Sequence, residues 1–284
     1  MLKKIATVLL AICILTALVY VNAVSVNTKQ LSLREETLLS GKIDEDTDGL
    51  LIAYFSDLDY GRFIDRDFLD KTIEKIALFQ PDIILFGGDL FDISAIDGIS
   101  EEDLDYLASS LNSLKARFGK YAVYGDDDLR AREKADYVYS NSGFKILDNR
   151  SQSVSIDRNS SISLIGIAPA VEGSPDPVSS FSGNSSAHYT IVLSHCPDLF
   201  DDLREYEYDY FLSGHSRGGQ INLPLISLFG RPEGCRKYYF GKITRNGKTL
   251  DITNGIGRIE TDARFLADAE VVFYTLRSQT EDPQ

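Results

Sequence analysis

The chain has 284 residues, 43% of them hydrophobic, enough for one large domain or two small ones around a real core. Its 29 basic residues are outnumbered by 43 acidic ones, giving a net charge of −14. That balance argues against nucleic acid or an anionic membrane surface as the main partner.

Residues 5–24, IATVLLAICILTALVYVNAV, form an unbroken apolar run, and Lys3 and Lys4 are the only charges before it. As a helix rising ~1.5 Å per residue, the run reaches ~30 Å and can cross a bilayer. The basic flank directs the N-terminus inward and the rest of the chain to the extracytoplasmic side of the cell membrane. The run exceeds the apolar core of a usual signal peptide, so residues 1–24 read as a single-pass signal anchor. Val21-Asn22-Ala23 loosely resembles a cleavage site, and a cleaved signal peptide is the alternative. Cys13 lies in this run, leaving Cys196 and Cys235 as ordinary thiols without diagnostic spacing.

Residues 25–48 are polar and run into KIDEDTDG, the composition of a stalk or edge segment. LLIAYFSD then reads as a buried strand ending at Asp57. A helix follows with Leu69, Ile73 and Ile76 on one face, closed by Pro81. DIILFGGD is a second strand ending at Asp89, and the next helix opens at Ser100 with Asp103 three residues on. The third strand, YAVYGDDD, ends in Asp126, Asp127 and Asp128. Three adjacent carboxylates repel one another unless a cation sits among them or water bathes them.

This rhythm of strand, acid and helix predicts an α/β domain whose sites gather at the strand C-termini. Farther along, SVSID, ISLIGIAP, YTIVLSH and YFLSGH read as strands with less helix between them, and residues 174–186 as a surface loop. With no repeat and no internal linker, residues 49–276 read as one domain and 277–284 as a polar tail. Five strand ends carry metal-ligand residue types: SDLD (Asp57, Asp59), GGD (Asp89), GDDD, LSH (His195) and SGHSR (His215, Arg217). Carboxylate with imidazole suits Mn²⁺, Fe²⁺ or Zn²⁺, and two such ions clamp a phosphate and generate hydroxide for in-line attack.

The order SDLD, GGDL, YGDDD, LSHCPD, SGHSRGGQ, with PDIILFGGDLFD, SGFKILDN, GGQINLPL and TNGIG in support, resembles the calcineurin-like metallophosphoesterases. It looks most like the membrane-associated bacterial branch near the UDP-2,3-diacylglucosamine hydrolases. The resemblance implies a four-layer α/β/β/α sandwich, here preceded by one transmembrane helix, with a dinuclear metal centre between the sheets. By position, one ion takes Asp89, Asp126, His195 and His215, and the other Asp57, Asp59 and the bridging Asp89. Mn²⁺ is the first expectation, with Zn²⁺, Fe²⁺ or Mg²⁺ as alternatives and one or two ions in all.

The departures are specific. Asp57-Leu58-Asp59 stands for the family's Asp-x-His, and Asp127 holds the position of the catalytic His. Gly214-His215-Ser216-Arg217 stands for Gly-His-x-His. Arg217 cannot ligate a metal, so it pairs with Asp59 or binds substrate phosphate. Asp127 is left as an altered proton donor to the leaving group. The expectation is a membrane-anchored, extracytoplasmic, metal-dependent phosphoesterase acting on an envelope lipid or precursor. The alternative is a catalytically impaired pseudo-phosphoesterase serving as an envelope binding or scaffold module.

Overall fold

The computed structural model describes residues 1–184, 189–223 and 231–279. Along the chain come α1 (Leu2–Val21), β1 (Leu31–Ser40), β2 (Leu51–Phe55), α2 (Arg66–Leu78), β3 (Ile83–Phe86), α3 (Glu101–Ser113) and β4 (Lys120–Ala122). Next are α4 (Asp126–Arg130), α5 (Arg132–Ser142), β5 (Phe144–Ile146), β6 (Arg150–Ser155), β7 (Ser161–Ile167), α6 (Pro177–Phe181) and β8 (Tyr189–Ser194). The chain closes with β9 (Tyr210–Ser213), β10 (Gly241–Arg245), β11 (Lys248–Ile252) and β12 (Ala269–Ser278).

The strands build two six-stranded sheets, ordered β1-β12-β2-β3-β4-β5 and β10-β11-β9-β8-β7-β6. Strand alternation sorts side chains between layers. Ile52 and Tyr54 of β2, with Ile83 and Leu85 of β3, enter the core between the sheets, where they meet Ile191, Leu193 and Leu212 of the second sheet. Their neighbours Ala53, Phe55, Ile84 and Phe86 face the other way, onto Leu69, Leu107 and Val138 of α2, α3 and α5. Burial on both faces explains why these strands read as continuous apolar runs. A third core lies outside the second sheet, against the 3₁₀ turn Pro197–Asp201, with Phe181 of α6 packed on it. The architecture is therefore the expected four-layer sandwich, with a thin outer layer over the second sheet.

Leu31–Ser40, within the polar 25–48 segment, forms the edge strand β1, parallel to β12. Within residues 174–186, the expected surface loop is instead partly the short helix α6, capped by Asp176, whose carboxylate accepts from the Ser179 N–H. Residues 185 and 186 of that stretch lie outside the described residues. Near β1, Arg34 forks onto Asp251 of β11 at 3.0 Å per prong, and Tyr210 and Tyr274 add their hydroxyls to the same carboxylate. These contacts tie the two sheets together. α1 is continued by irregular helical turns, so that Lys3–Lys29 makes a 27-residue apolar helix long enough to cross a membrane. Its far end is held to the domain: the Arg264 N–H donates to the Ala23 carbonyl and Arg258 Nη1 to the Thr28 carbonyl.

Candidate metal centre

Every acid and histidine picked from the sequence lies just beyond a C-terminal strand end. Asp57 and Asp59 follow β2, Asp89 follows β3, and Asp126 to Asp128 follow β4 and open α4. His195 follows β8, and His215 and Arg217 follow β9. Because β2, β3 and β4 are parallel, as are β8 and β9, their ends converge on one face.

The backbone there is unusual. Asp57, Asp59, Asp89, His215 and Arg217 all have left-handed φ, between 49° and 67°. Asp and His tolerate that region better than most residues, while Arg217 is held there at a cost of ~1–2 kcal/mol. Two glycines let the chains approach. A Cβ on Gly125 would overlap Asp89 Oδ1, and one on Gly214 would overlap Asp57 Oδ2 and Ser56 Oγ.

One half of the cluster is built to receive a cation. His195 Nδ1 lies 2.7 Å from the Gly87 carbonyl and His215 Nε2 lies 2.6 Å from the Glu233 carbonyl. A carbonyl can only accept, so each of these nitrogens donates its proton, and His195 Nε2 and His215 Nδ1 are the ring atoms left to face the carboxylates. Burial opposes charge on His195, but Asp89, Asp126 and Asp57 outweigh it and raise its pKa well above the ordinary value, so a cation entering here displaces the Nε2 proton. His195 Nε2 and His215 Nδ1 stand 3.3 and 3.0 Å from Asp126 Oδ1. His195 Nε2 also lies 3.1 Å from Asp89 Oδ2. Yet Asp126 Oδ1, His195 Nε2 and His215 Nδ1 are buried without a hydrogen-bond partner. Buried polar atoms rarely stay unpartnered. Three that converge, each ring fixed from behind by a carbonyl, have the form of metal ligands with their supporting shell. With Asp89 they make a four-residue set whose ligand atoms lie within 4.8 Å of one another. The residues here fit a divalent ion.

The other half is filled by protein. Arg217 Nε and Nη2 each donate to Asp59 at 2.7 Å, Nη2 also donates to Asp89 Oδ2 at 2.8 Å, and Nη1 donates to the His215 carbonyl at 3.0 Å. Asp57 receives the His215 backbone N–H on both carboxylate oxygens, at 3.0 and 3.1 Å. Burial opposes charge on Arg217, but Asp59, Asp57 and Asp89 outweigh it and raise its pKa far above the ordinary value. The residues here do not fit a second ion with the guanidinium in place.

The three aspartates of GDDD part company. Asp126 turns to the histidines. Asp127 receives Arg130 Nη1 at 3.0 Å, and burial together with the nearby Asp89 carboxylate pushes its pKa up to about 8. Asp128 is a clamp: it accepts from the N–H groups of Asp89, Leu90 and Gly125 and from the Tyr139 hydroxyl, all within 2.8–3.0 Å. A cleft of about 460 Å³ opens over the cluster, lined by Arg62, Asp126, Asp127, Arg130, His215 and Arg217.

Sequence reasoning missed four contributors. Arg130 lies three residues after Asp127 in DDDLR, a helical spacing that could have been read. Arg264 carries no such signal. It is fully buried and donates to the carbonyls of Arg217, Asn254, Gly255, Gly257 and Ala267, and burial pushes its pKa down to about 10. It braces the TNGIG segment, whose Ile256 and Gly257 N–H groups bond the Asp57 carbonyl. The Gly87 and Glu233 carbonyls that orient the histidines are backbone groups with no sequence signature.

No protein-family model matches the chain. It is similar to the metallophosphoesterase YkuE of Bacillus subtilis, 29% identical over 86% of this chain and 85% of that protein. The phosphodiesterase YaeI of Escherichia coli is 25% identical over 73% of this chain and 75% of its own length. The UDP-2,3-diacylglucosamine pyrophosphatase LpxG of Chlamydia trachomatis is 26% identical over 62% of this chain and 66% of its own. Among solved structures, a dimetal phosphatase from Danio rerio aligns with TM-score 0.44 and 11% identity, covering 73% of this chain and 88% of that one.

Proposed function

We propose that this chain, a relative of the bacterial metallophosphoesterases, hydrolyses a phosphoester as a membrane-anchored enzyme facing away from the cytoplasm. The observation that carries the reading is the convergence of Asp126 Oδ1, His195 Nε2 and His215 Nδ1, buried and unpartnered, beside Asp89. These four residues would hold one divalent ion, which when bound supplies Lewis acidity and an activated water. Asp89, Asp126, His195 and His215 fix the position at which water meets phosphorus. Asp127, on the cleft wall beside Arg130, carries the proton to the departing oxygen. Arg62 and Arg130 line the cleft and supply positive charge for the phosphate oxygens. Arg217 contributes little to that task, since four of its five N–H groups are already donated within the protein.

An envelope lipid or lipid-linked precursor is the substrate class we favour. The bonds from Arg264 to Ala23 and from Arg258 to Thr28 fasten the end of the apolar helix to the 256–264 segment, whose Ile259 and Glu260 line the cleft. A cleft beside the anchor suits a substrate whose tail stays in the bilayer. The pyrophosphatase name of the Chlamydia trachomatis relative agrees with such a substrate.

The test is hydrolysis of bis(p-nitrophenyl) phosphate by the full chain in detergent with Mn²⁺, alongside Asp89→Asn. The reading expects turnover, and a loss of roughly a hundredfold or more in the variant. An Asp89→Asn gene that still restores a deletion strain would instead favour a non-catalytic envelope module, the reading to which the Arg217 ion pairs lend support. An alkaline phosphatase fused after Gln284 should be active if the domain faces outward.

A further inference from the structure

We infer that this chain binds a single divalent ion, and that the Arg217 guanidinium is a built-in substitute for a second one. The inference rests on the reading of Asp89, Asp126, His195 and His215 as a metal site.

Arg217 Nη2 sits where a bridging cation would sit, 2.7 Å from Asp59 Oδ1 and 2.8 Å from Asp89 Oδ2. Nε completes the fork on Asp59 at 2.7 Å. A metal cannot share that space, because a guanidinium nitrogen has no free lone pair and stays protonated. The geometry is locked from below as well as above. Arg217 is held at φ 51°, and its carbonyl accepts from the Gln220 N–H and from the buried Arg264 Nη1. Both its partner carboxylates are buried, Asp59 fully and Asp89 all but 1%. Removing the fork would strand two negative charges away from water.

The two half-sites therefore differ in kind. Around Asp126, ligand atoms converge without a hydrogen-bond partner. Around Asp59, every short contact is a satisfied, charge-assisted hydrogen bond. Asp89 joins the halves: its Oδ2 faces both His195 Nε2 and Arg217 Nη2, and its Oδ1 accepts the Asp127 N–H. A fixed guanidinium in the bridging position neutralises charge and orients Asp89 toward the ion. It offers no ligand position of its own, so an ion held by Asp89, Asp126, His195 and His215 would be the one to supply Lewis acidity at the cleft.

The experiment is elemental mass spectrometry of the full chain in detergent, stripped with chelator, equilibrated with Mn²⁺ and freed of excess metal. The expected result is one Mn²⁺ per chain in the wild type, none in Asp126→Ala and two in Arg217→His. Electron paramagnetic resonance of the wild type needs no variant, and it should give the six-line spectrum of an isolated Mn²⁺. Two ions in the wild type, with the multiline spectrum of a spin-coupled pair, overturn the inference while leaving the phosphoesterase reading intact. No ion in the wild type overturns the metal-site reading and the inference together. A folded Arg217→His chain, checked by circular dichroism, that still holds one ion overturns the substitution of guanidinium for metal.

Discussion

Arg217 and Asp59 face each other as a closed fork, Nε to Oδ2 and Nη2 to Oδ1, both prongs 2.7 Å long and both residues buried. Arg217→Ala strips the cation from Asp59 and Asp89 and should destabilise the ion-free chain by about 3–5 kcal/mol, read from the urea midpoint. Arg217→Lys should restore only part of that loss, since one ammonium cannot make both prongs. A loss no larger than that of an exposed arginine would mean the fork is not what holds this end of the sandwich.

Asp128 accepts four hydrogen bonds from Asp89, Leu90, Gly125 and Tyr139. Asp128→Asn keeps the shape but turns an amide toward N–H donors. It should lower stability by about 2–3 kcal/mol and weaken Mn²⁺ binding through the displaced Asp89. Tyr139→Phe removes one bond and should lower stability by about 1 kcal/mol. Urea melts and metal titrations of the two variants, compared side by side, check the order.

Asp127 lines the cleft, and its carboxylate meets Arg130 rather than a histidine. If it protonates the leaving oxygen, Asp127→Asn should depend on the substrate. Hydrolysis of alkyl phosphate esters should fall by roughly 10²–10⁴-fold, while p-nitrophenyl esters, whose leaving group needs no proton, should change little. Equal losses on both substrate types would remove Asp127 from that role.

Lys120 is buried, its Nζ donates to the Leu111 carbonyl at 2.9 Å, and burial pushes its pKa down to about 8. The folded chain thus gives up this proton before the unfolded chain does. Between about pH 8 and the ordinary lysine value the unfolded state holds more protons, so this group makes stability rise with pH. In Lys120→Met that upward contribution should vanish, which urea midpoints measured from pH 7 to pH 10 will reveal.

β2 and β3 were legible because both their faces are buried, which turns LLIAYF and DIILF into apolar runs with an acid just past the end. The tripled aspartate was legible as a site but not as a division of labour. Successive residues on the first turn of α4 point about 100° apart, so Asp126, Asp127 and Asp128 meet imidazoles, Arg130 and backbone N–H groups respectively. β1 read only as a stalk or edge segment because LSLREETLLS carries Arg34, Glu35 and Glu36 mid-strand and pairs with β12, which begins more than 200 residues later. The β10–β11 hairpin turns at Asn246-Gly247, among the strongest local hairpin signals, yet lies beyond the strands assigned from sequence. Arg264 left no trace in the pattern, since its partners are carbonyl oxygens that every residue owns.

The Arg217 fork also bears on the order in which the protein matures. An ion can leave, be stripped or arrive late; a side chain travels with the ribosome's product. The charge of Asp59 and Asp89 is offset by Arg217 as soon as the two sheets close on each other, whatever the surroundings hold. The sandwich can close before any ion reaches Asp126 and the two histidines.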